Sequence, residues 1–529
     1  MERIDSTYSH PGRKSLVSFL TLSSTLILAL TLIISSFAFA DVSTSDPLWD
    51  WKYDAIERLS LATGENTVLN TRPVSRLEMA GLVLRLADKV EVEDEYYKVL
   101  LKRLEEDLSE EIKGINESSY GDLSVKPLRW VRAKAVHTDS PVQIENDYGF
   151  RGGDLSIRGE VSTSGTWGSI GYELRPEYNL YRDDTDEDKL DLHSGYIVAW
   201  LKNIEIEVGR DSLWWGPGRR GNWVLTNNAP AFELVKLSNA VTTTPPGPLS
   251  FMGNTKFTAL LGKISKQTIE YIDNGIPVTD NKEPLFIGGR LDFSPSRYIE
   301  LGVSQGVQLI DRGGSGYSFD YISKTFIPTY DSNEEEGASG PVANRVTAFD
   351  VSLNMGGDHN FMKKLGLKGM KVYWTWGGET MVSDEHTKLP QTCFTSNLFG
   401  LYLDNGRTEL SMEYSSSFDA KVTWYDHYQF TEGYMNESFV LGHPQGAGNR
   451  KDMFISISHP LTDSIVPRLH FERKEWHSGG GQVPMENDFG LSVDLFGERG
   501  EKIGISYEYR DPDSNASNNI WMLDMLYRF

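Results

Sequence analysis

The sequence contains 529 residues, of which 39% are hydrophobic, and its formal net charge is −23. This acidic balance argues against a nucleic-acid partner, because phosphate binding depends on clustered Lys and Arg. Cys393 is the single cysteine, which excludes an intramolecular disulfide. After residue 40, no uncharged apolar run reaches the ~18 residues that a transmembrane helix needs. A membrane-spanning chain would therefore have to cross as a closed barrel of strands.

The first 40 residues have the three parts of a secretory signal peptide. Arg13-Lys14 forms a short basic region, and the uncharged apolar run 16–34 follows it. Ala38-Phe39-Ala40 then offers the small-x-small pattern of a cleavage site. The alternative is an uncleaved anchor, since about 20 apolar residues can span a bilayer. We predict a signal peptide over 1–40, because the cleavage pattern follows at the right place.

Residues 41–124 are predicted to form a helical region in the periplasm. One stripe consists of Trp51, Ala55, Ile56 and Leu59, and another of Tyr97, Leu101, Leu104, Leu108 and Ile112. Between them, a helix is predicted to start with Ser75 as N-cap and Glu78 as its capping-box partner. Short amphipathic helices of this kind need a partner surface on which to bury their stripes.

Part of the helical region also resembles a surface-layer-homology unit. The resemblance is carried by Trp51, Tyr53, Ala55-Ile56, Leu59, Gly64 and the segment 73–80. Units of that family bind cell-wall polymers, so the resemblance implies contact with peptidoglycan. Such modules usually act as several copies, whereas one is visible here. The alternative is a pair of helices that packs on its own barrel.

From about residue 125, apolar and polar residues alternate in short runs separated by turn residues. The runs include Leu155-Ile157-Val161, Ile204-Ile206-Val208, Ile299-Leu301-Val303, Phe349-Val351-Leu353-Met355, Leu410-Met412-Tyr414, Met453-Ile455-Ile457, Phe489-Leu491-Val493-Leu495 and Ile503-Ile505-Tyr507-Tyr509. At ~20–25 residues per strand and connection, roughly 16–18 strands are expected. We predict a large antiparallel transmembrane β-barrel over 125–529, because a soluble sandwich would rarely need so many strands.

The C-terminal segment supports the barrel. Its alternate residues Trp521, Leu523, Met525, Tyr527 and Phe529 are all apolar or aromatic. Asp524 and Arg528 have the other parity, so one face of this strand is hydrophobic. A chain ending on Phe, with an aromatic residue two positions earlier, resembles the strand that the outer-membrane assembly machinery recognises. We predict that Phe529 contacts that machinery. The alternative is a strand of a soluble sandwich.

Several connections between the predicted strands are long and polar, namely 211–254, 311–345 and 426–451. Because outer-membrane barrels carry short periplasmic turns and long outer loops, we expect these connections to face outward or to fold into the lumen. Acidic clusters lie at 183–188 and 334–336. We interpret them as solvated loops, since the first lacks the glycine that an EF-hand calcium loop needs.

In the most informative stretch, two tryptophans directly precede a Gly-Pro-Gly turn. It runs from Gly209 through Arg210 and Trp214-Trp215 to Gly218, and Leu225-Thr226-Asn227-Asn228-Ala229-Pro230 follows. Flat aromatic faces beside amides suit sugar rings. A second loop, Leu441-Gly442-His443-Pro444-Gln445-Gly446, lies between late strands. Together with the terminal Phe, these motifs resemble the Wzi family of capsule-assembly proteins, and the resemblance extends from about Trp51 to the end of the chain.

The resemblance implies an 18-stranded outer-membrane barrel with a periplasmic helical part, which attaches or organises capsular polysaccharide as a lectin. Some similar proteins serve instead as exit pores in polysaccharide secretion. The implied partners are capsular or extracellular polysaccharide, outer-membrane lipid and lipopolysaccharide. No cofactor and no metal are predicted.

The predicted polysaccharide-binding or family-motif positions are Arg210, Trp214, Trp215, Gly216, Pro217, Gly218, Asn227, Asn228, Gly442 and His443. Three interpretations of the tryptophan pair remain open. The pair could pack the loop structurally, contact polysaccharide, or anchor the barrel at the membrane interface, where aromatic belts lie.

Catalysis finds little support in the sequence. His193-Ser194 and His477-Ser478 are pairs of a kind that some outer-membrane hydrolases use. No third group can be identified, however, and adjacent residues of a strand point to opposite faces. Walker loops, zinc-ligand spacings and nucleophile elbows are also missing from the sequence. We therefore predict a non-enzymatic polysaccharide-binding barrel, with an exit pore as the alternative.

Overall fold

The computed structural model describes residues 42–90, 95–117, 123–182, 187–273, 276–311, 317, 322, 342–379, 381–383, 390–392, 396–417, 424–427, 429–477, 483–513 and 516–529. The predicted signal peptide, Cys393, Ser478, the acidic cluster 334–336 and residues 183–186 of the first acidic cluster lie outside these residues. No helix in the described part of the chain has the length and apolar character needed to span a bilayer.

Four helices form the described chain ahead of the barrel, namely α1 (Trp51–Thr63), α2 (Arg76–Ala87), α3 (Glu95–Asp107) and α4 (Ser109–Glu117). Their apolar stripes meet in one buried cluster that includes Tyr53, Ile56, Leu59, Val83, Leu86 and Leu104. The last predicted stripe is divided between α3 and α4, because the chain turns at Leu108, which is fully buried. The helices thus supply part of each other's partner surface.

Helix α2 begins as the sequence predicts, since the Ser75 hydroxyl accepts a hydrogen bond from the Glu78 amide at 3.2 Å. The predicted return bond from Glu78 is replaced. Its carboxylate accepts from Lys256 Nζ at 2.9 Å and from the Thr242 amide at 2.8 Å. A charge-assisted bond to lysine is stronger than a bond to a backbone amide. The start of α2 is therefore tied to the barrel.

Within the described residues, eighteen antiparallel strands close into a barrel. They are β1 (Ser124–Thr138), β2 (Ser156–Trp167), β3 (Ile170–Tyr181), β4 (Lys189–Leu201), β5 (Ile204–Asp211), β6 (Phe232–Asn239), β7 (Asn254–Lys263), β8 (Leu285–Ser296), β9 (Ile299–Ile310), β10 (Val342–Gly356), β11 (Gly369–Glu379), β12 (Ser396–Asp404), β13 (Glu409–Ser416), β14 (Arg450–Ser458), β15 (Ile465–Trp476), β16 (Met485–Phe496), β17 (Lys502–Pro512) and β18 (Asn518–Arg528). Each strand pairs with its neighbours in sequence, and β1 pairs with β18 to close the wall.

The outer face of the barrel is apolar. On β18, Trp521 is 52% exposed and Tyr527 58% exposed, and the terminal Phe529 that follows is 62% exposed, whereas Arg528 faces inward and is buried. Other strands show the same alternation, for example with Ile503 and Ile505 exposed on β17. An apolar surface of this extent requires a lipid environment rather than water. The predicted fold class, a large transmembrane barrel of about 18 strands preceded by helices, is confirmed.

The barrel has two unlike ends, which we name the helical end and the loop end. At the helical end, where α1–α4 lie, most connections are short, as at 168–169 and 202–203. One of the longer ones holds α5 (Asn360–Leu365), and another holds a 3-10 helix (Gly247–Met252). At the loop end the connections are longer, as at 212–231 and 417–449.

Short two-stranded ladders supplement the barrel. They pair Thr71–Arg72 with Trp214–Trp215, Val142–Gln143 with Arg151–Gly152, Gln267–Asp273 with Ile276–Lys282, Met381–Ser383 with Pro390–Thr392, and Met435–Asn436 with Phe439–Val440. Four of these ladders lie within loop-end connections. The first instead joins the helical region to a loop from the opposite end of the barrel, so the two ends meet inside the lumen.

Ion pairs hold the helices in the mouth of the barrel. Arg58 of α1 makes a bidentate pair with Asp404 of β12, with both N–O distances at 2.9 Å. Glu57 accepts from Lys371 of β11 at 2.7 Å. All four side chains are nearly inaccessible to solvent. Breaking such a buried pair is costly because the remaining charge lacks compensation, so the helical region is a fixed part of the barrel.

The segment that precedes α1 is anchored by Asp46. Its carboxylate lies 3.1 Å from both Lys52 and Arg76 and also bonds to Arg129 of β1. Burial by itself raises the pKa of Asp46, but Arg129, Lys52 and Arg76 outweigh it and hold the pKa well below its usual range. Asp46 is therefore charged at neutral pH and joins the helices to the seam of the barrel.

The inner face of the barrel has two sides. On the packed side, formed by the inward residues of β6–β13, Phe286, Val346 and Leu398 are fully buried. The opposite inner face, which we name the polar wall, belongs to β15–β17. Its partly or fully exposed inward residues are Arg468, His470, Ser492, Asp494, Lys502, Ser506, Glu508 and Arg510. Loops fill the lumen against the packed side, whereas solvent reaches the polar wall.

Candidate functional site

The loop-end connection 212–231, which we name the plug loop, folds into the lumen. Its tryptophans Trp215 and Trp223 are at most 1% exposed and belong to the apolar cluster on the packed side. Trp214 and Trp215 pair with residues 71–72, and the Gly216 amide donates to the Asn70 carbonyl at 2.8 Å. The tryptophan pair therefore lies inside the barrel, away from the aromatic belts of the membrane interface.

The tip of the plug loop is held by one carboxylate of the barrel wall. Glu413 of β13 accepts hydrogen bonds from the backbone amides of Arg219, Arg220 and Gly221 at 2.8, 3.1 and 3.2 Å. It also accepts from the Tyr373 hydroxyl at 2.6 Å. Glu413 is 4% exposed. A buried anion that receives several backbone amides is a strong fixed point, so this contact sets the position of the loop.

The geometry of the Gly-Pro-Gly turn requires both of its glycines. Gly216 has a φ of +133°, and a Cβ atom there would lie 2.1 Å from Asn222 Oδ1. A Cβ atom on Gly218 would lie 1.9 Å from the Gly221 carbonyl oxygen. Larger residues are thus excluded at both positions. Pro217 lies buried between them, so the three residues shape the loop.

Asn227 and Asn228 join three loops. The Asn227 carbonyl accepts from the Tyr148 amide at 2.7 Å, and the Asn228 carbonyl accepts from the Gly149 amide at 3.0 Å. The Asn228 side chain donates to the Val440 carbonyl at 3.0 Å. The connections 139–155, 212–231 and 417–449 are thereby fastened together. These asparagines act as structural links at the loop end.

Gly442 and His443 belong to the loop that covers the plug loop. A Cβ atom on Gly442 would lie 2.1 Å from the Tyr425 hydroxyl, which itself donates to the Trp223 carbonyl at 2.5 Å. The His443 ring is fully buried, and its Nδ1 accepts from the Gln445 amide at 3.1 Å. Burial, with a smaller contribution from nearby Arg220, lowers the pKa of His443 to about 3. The ring is therefore neutral at physiological pH.

Arg210 faces a different space, which we name the loop-end pocket. This pocket has a volume of about 160 Å³ and is bordered by the ends of β3, β4 and β5 and by Glu437. Arg210 lies 3.5 Å from Glu437, and Lys189 lies 2.6 Å from Asp191. Tyr148 stands edge-on to the His193 ring at a centroid distance of 4.4 Å. Charged donors, carboxylates and an aromatic ring thus surround a small opening.

One group of residues beside this pocket has the composition of a metal site. The ligand atoms of Glu160, Glu177 and His193 lie within 4.8 Å of one another. Arg158 and Arg132 already lie 3.3 Å from the two carboxylates, and His193 bonds to Glu177 at 2.8 Å. The cations neutralise the charge that would attract a metal ion. We interpret the group as an ion-pair cluster of the barrel wall.

A second space, which we name the inner cavity, lies inside the barrel between the segment 48–54, the plug loop and the wall strands β12–β15. Its volume is about 290 Å³. Three predicted site residues, Trp214, Gly218 and Asn227, line it. The ten predicted residues are therefore not one surface: most of them shape and fasten the plug, three border the inner cavity, and Arg210 borders the loop-end pocket.

Sequence reasoning missed Glu413, the residue that fixes the plug loop. A weak signal was available, since Leu410, Met412 and Tyr414 were identified as one face of a strand, which places Glu413 on the opposite, inward face. Its partners in the plug loop could not be inferred, because they lie almost 200 positions earlier in the chain. Tyr148, which links two loops, carries no sequence signal of its own.

Comparison with known proteins finds a family and a solved structure that are similar to this chain. The model of the family described as capsule assembly protein Wzi matches residues 130–512. A similar solved structure is Wzi of Escherichia coli, described as an outer-membrane protein involved in group 1 capsule assembly and as a carbohydrate-binding β-barrel. It is 16% identical, with a TM-score of 0.64, over 93% of this chain and 100% of that chain.

Two barrels of Pseudomonas aeruginosa are more distant. OccK3 (OpdO) and OccK5 (OpdH) are 10% and 9% identical, with TM-scores of 0.46 and 0.47, over 77% of this chain and 96% and 97% of theirs. None of the curated proteins matches this chain. The family match covers most of the strands described above, from β1 to β17, and the fold is that of an outer-membrane barrel. The chain belongs to the Wzi family of capsule assembly proteins.

Proposed function

We propose that this protein binds capsular or extracellular polysaccharide at the cell surface and so attaches or organises it. The observation that carries the proposal is the loop end, where three long connections are locked together around a polar pocket. In outer-membrane barrels the long loops face outward and the short turns face the periplasm. The helical end, with α1–α4, would accordingly lie in the periplasm, and the loop-end pocket would face the polymer.

The loop-end pocket offers the contacts that a sugar unit needs. The Arg210 side chain is 23% exposed, and its guanidinium group lies 3.5 Å from Glu437. Sugar hydroxyls can both donate to the carboxylates and accept from Arg210 and Lys189. We propose Arg210 as the polymer-contacting member of the predicted set. The others, from Trp214 to His443, would support the pocket by fixing the plug.

The strength of attachment would come from repetition. Each pocket of about 160 Å³ accommodates a small part of a polymer, so one contact is weak. Neighbouring units of the same chain remain at high effective concentration once one unit is bound, and they can engage further barrels in the membrane. A modest change in the affinity of one pocket is therefore multiplied in the retention of a long polymer.

The test is retention of purified capsular polysaccharide on the immobilised protein in detergent. We expect Arg210→Ala to lower retention by roughly tenfold, because each of many weak contacts is lost. The matched control is Arg297→Ala, which removes an arginine at the opposite end of the barrel, where Arg297 pairs with Asp358 at 2.6 Å. Equal retention by both variants would remove Arg210 from the binding account. Failure of the unmodified protein to retain polymer would refute the function.

The polar wall favours a second candidate, an exit pore. Its inward residues, such as Arg468 and Ser506, are reached by solvent beside the plug. Conductance in planar bilayers separates the two functions, since a stable large conductance supports a pore and silence supports attachment. A deletion strain gives an independent answer. Polymer released into the medium indicates lost attachment, whereas polymer retained inside the cell indicates lost export.

Three further kinds of partner are proposed, namely the assembly machinery, the lipid of the outer membrane and peptidoglycan. The exposed Phe529 would be recognised by the outer-membrane assembly machinery during insertion, and lipid with lipopolysaccharide would surround the apolar wall. Peptidoglycan contact would have to use the solvent-facing side of α3 and α4, because Tyr53 and Leu59 of the surface-layer-like segment are at most 1% exposed. Pulldown of the whole protein on purified sacculi tests this contact, and no retention would end that proposal.

A further inference from the structure

The inner cavity is connected to solvent although it lies within the barrel. Asp54 of α1 and Arg468 of β15 both line it, and both are exposed side chains that face the lumen. Its volume of about 290 Å³ is close to the lower limit of small-molecule pockets, roughly 300 Å³. A small ligand can therefore reach the cavity and fit within it.

The lining of the cavity has unused hydrogen-bonding capacity. Three lining residues, Asp54, Ser456 and Arg468, have side chains that solvent reaches and that make no hydrogen bond or ion pair among the described residues. A carboxylate accepts hydrogen bonds, a guanidinium group donates them, and a hydroxyl group does both. The accessible part of the lining therefore offers both donors and acceptors to a polar ligand.

The charge of the lining indicates a neutral ligand. Three carboxylates and three guanidinium groups border the cavity. Most of them already have partners, as Asp50 bonds to Arg528 at 2.6 Å and Arg219 to Glu57 at 2.6 Å. An anion or a cation would meet no net opposite charge here. Trp49 and Trp214 add flat apolar surfaces, and the combination of hydroxyl partners with aromatic surface matches a sugar ring.

We propose that the inner cavity binds one neutral sugar unit, separately from the polymer at the loop-end pocket. This inference rests on the proposed function only in taking the ligand to be carbohydrate. The sugar hydroxyls would pair with Asp54, Ser456 and Arg468, and the ring would lie beside Trp214. Because the same cavity contacts both the plug loop and the segment 48–54, an occupied cavity would stiffen the contact between them.

The experiment is saturation-transfer NMR on the whole protein with methyl glycosides of glucose, galactose and mannose at about 50 mM, since a single small site binds in the millimolar range. The detergent must lack a sugar headgroup, and lauryldimethylamine oxide meets this requirement. Ser456→Phe fills the cavity from β14, because Ser456 lines it. The matched control, Ser506→Phe, places the same ring on the polar wall of β17, outside the lining and two strands away from Arg468.

We expect at least one neutral glycoside to bind, Ser456→Phe to weaken binding by at least roughly tenfold through loss of space, and Ser506→Phe to leave it unchanged. Arg468→Met removes the guanidinium donors but keeps most of the side-chain length, and it should weaken binding severalfold. It decides the question if Ser456→Phe fails to fold. Glucuronate is measured under the same conditions as a charged comparison. No transfer to any of the three neutral sugars, binding that neither cavity variant weakens, or stronger binding of glucuronate would overturn the proposal.

Polymer retention is measured on the same preparations to keep the two proposals apart. If the protein retains the polymer but binds no glycoside in the cavity, only the cavity site is refuted. If the unmodified protein retains no polymer but binds the glycoside, and Ser456→Phe weakens that binding, only the proposed attachment is refuted. The two failures therefore give different results.

Discussion

The packed side and the polar wall of the lumen are built from strands with the same outward pattern. Both expose apolar residues to lipid, as with Phe399 on β12 and Ile505 on β17. They differ only in the inward residues. On the packed side these residues include Tyr373 and Leu398, which hold two loops, whereas on the polar wall they are small or charged, as with Ser506. The outward residues thus fit the barrel to the membrane, and the inward residues determine whether loops or solvent fill the lumen.

The largest expected effect comes from the contact that fixes the plug on the packed side. Glu413→Ala leaves the buried Gly221 amide, the part-buried amides of Arg219 and Arg220, and the buried Tyr373 hydroxyl without their acceptor. At about 1–3 kcal/mol for each unsatisfied group, we expect a loss on the order of 4 kcal/mol. Urea unfolding in detergent measures it, and trypsin cleavage after Arg219 or Arg220 reports release of the loop.

The control for this prediction lies on the polar wall. Asp494→Ala removes a carboxylate that lies 3.8 Å from Lys502, and the side chains of Asp494 and Lys502 are 23% and 20% exposed. Water can replace the lost partner there, so the expected loss is below about 1 kcal/mol. Similar losses for Glu413→Ala and Asp494→Ala would show that the two sides do not differ in the way described.

A smaller effect is expected from acidification of the packed side. His443 has a pKa of about 3 in the folded protein, because burial opposes its charge, against about 6.5 when unfolded. Between these values the unfolded chain binds a proton that the folded chain does not, so stability falls as the pH decreases from 6.5. From pH 6.5 to 4.5 we expect a loss of roughly 2–3 kcal/mol.

His443→Gln removes this titration and should flatten the decrease in stability over the same interval. The control variant is His359→Gln, which replaces an exposed histidine at the start of α5 and should keep the wild-type pH profile. Denaturant midpoints at pH 6.5, 5.5 and 4.5 provide the measurement. A profile for His443→Gln as steep as that of the unmodified protein would show that another group is responsible.

The smallest effect is expected for the polar wall itself. Ser506→Ala removes a hydroxyl that solvent reaches, so the free energy of unfolding should change by less than about 0.5 kcal/mol. If an exit pore operates along this wall, Ser506→Arg should instead alter single-channel conductance, while stability stays near that of the unmodified protein. A large destabilisation by Ser506→Ala would mean that the wall is packed rather than open.

Much of the barrel was accessible to sequence analysis, because period-two alternation is a local signal. The outward residues of the last strand, such as Trp521 and Tyr527, were identified correctly, and Ser75 was identified as the cap of α2. The partner of the Glu78 carboxylate was not identified, because the lysine that binds it lies almost 180 positions later in the chain. Local patterns predict elements, whereas partners from distant strands depend on register and closure.

The candidate site was less accessible for the same reason. Trp214, Trp215 and the two asparagines were singled out, but the sequence left open whether the tryptophans pack the loop, bind sugar or meet lipid. That question depends on the loop folding inward, which Glu413 and residues 71–72 determine. The inner cavity has no sequence signature, since its lining comes from segments as far apart as Trp49 and Arg468.

The ladder between residues 71–72 and Trp214–Trp215 has a mechanical consequence. It connects a loop from one mouth of the barrel to the helices at the other by backbone hydrogen bonds that run inside the wall. Under the proposed orientation, tension from a surface polymer would pass through the centre of the molecule to the periplasmic helices. The ion pairs of Arg58 and Asp46 then bear part of that load, so the lipid-facing strands bear less of it.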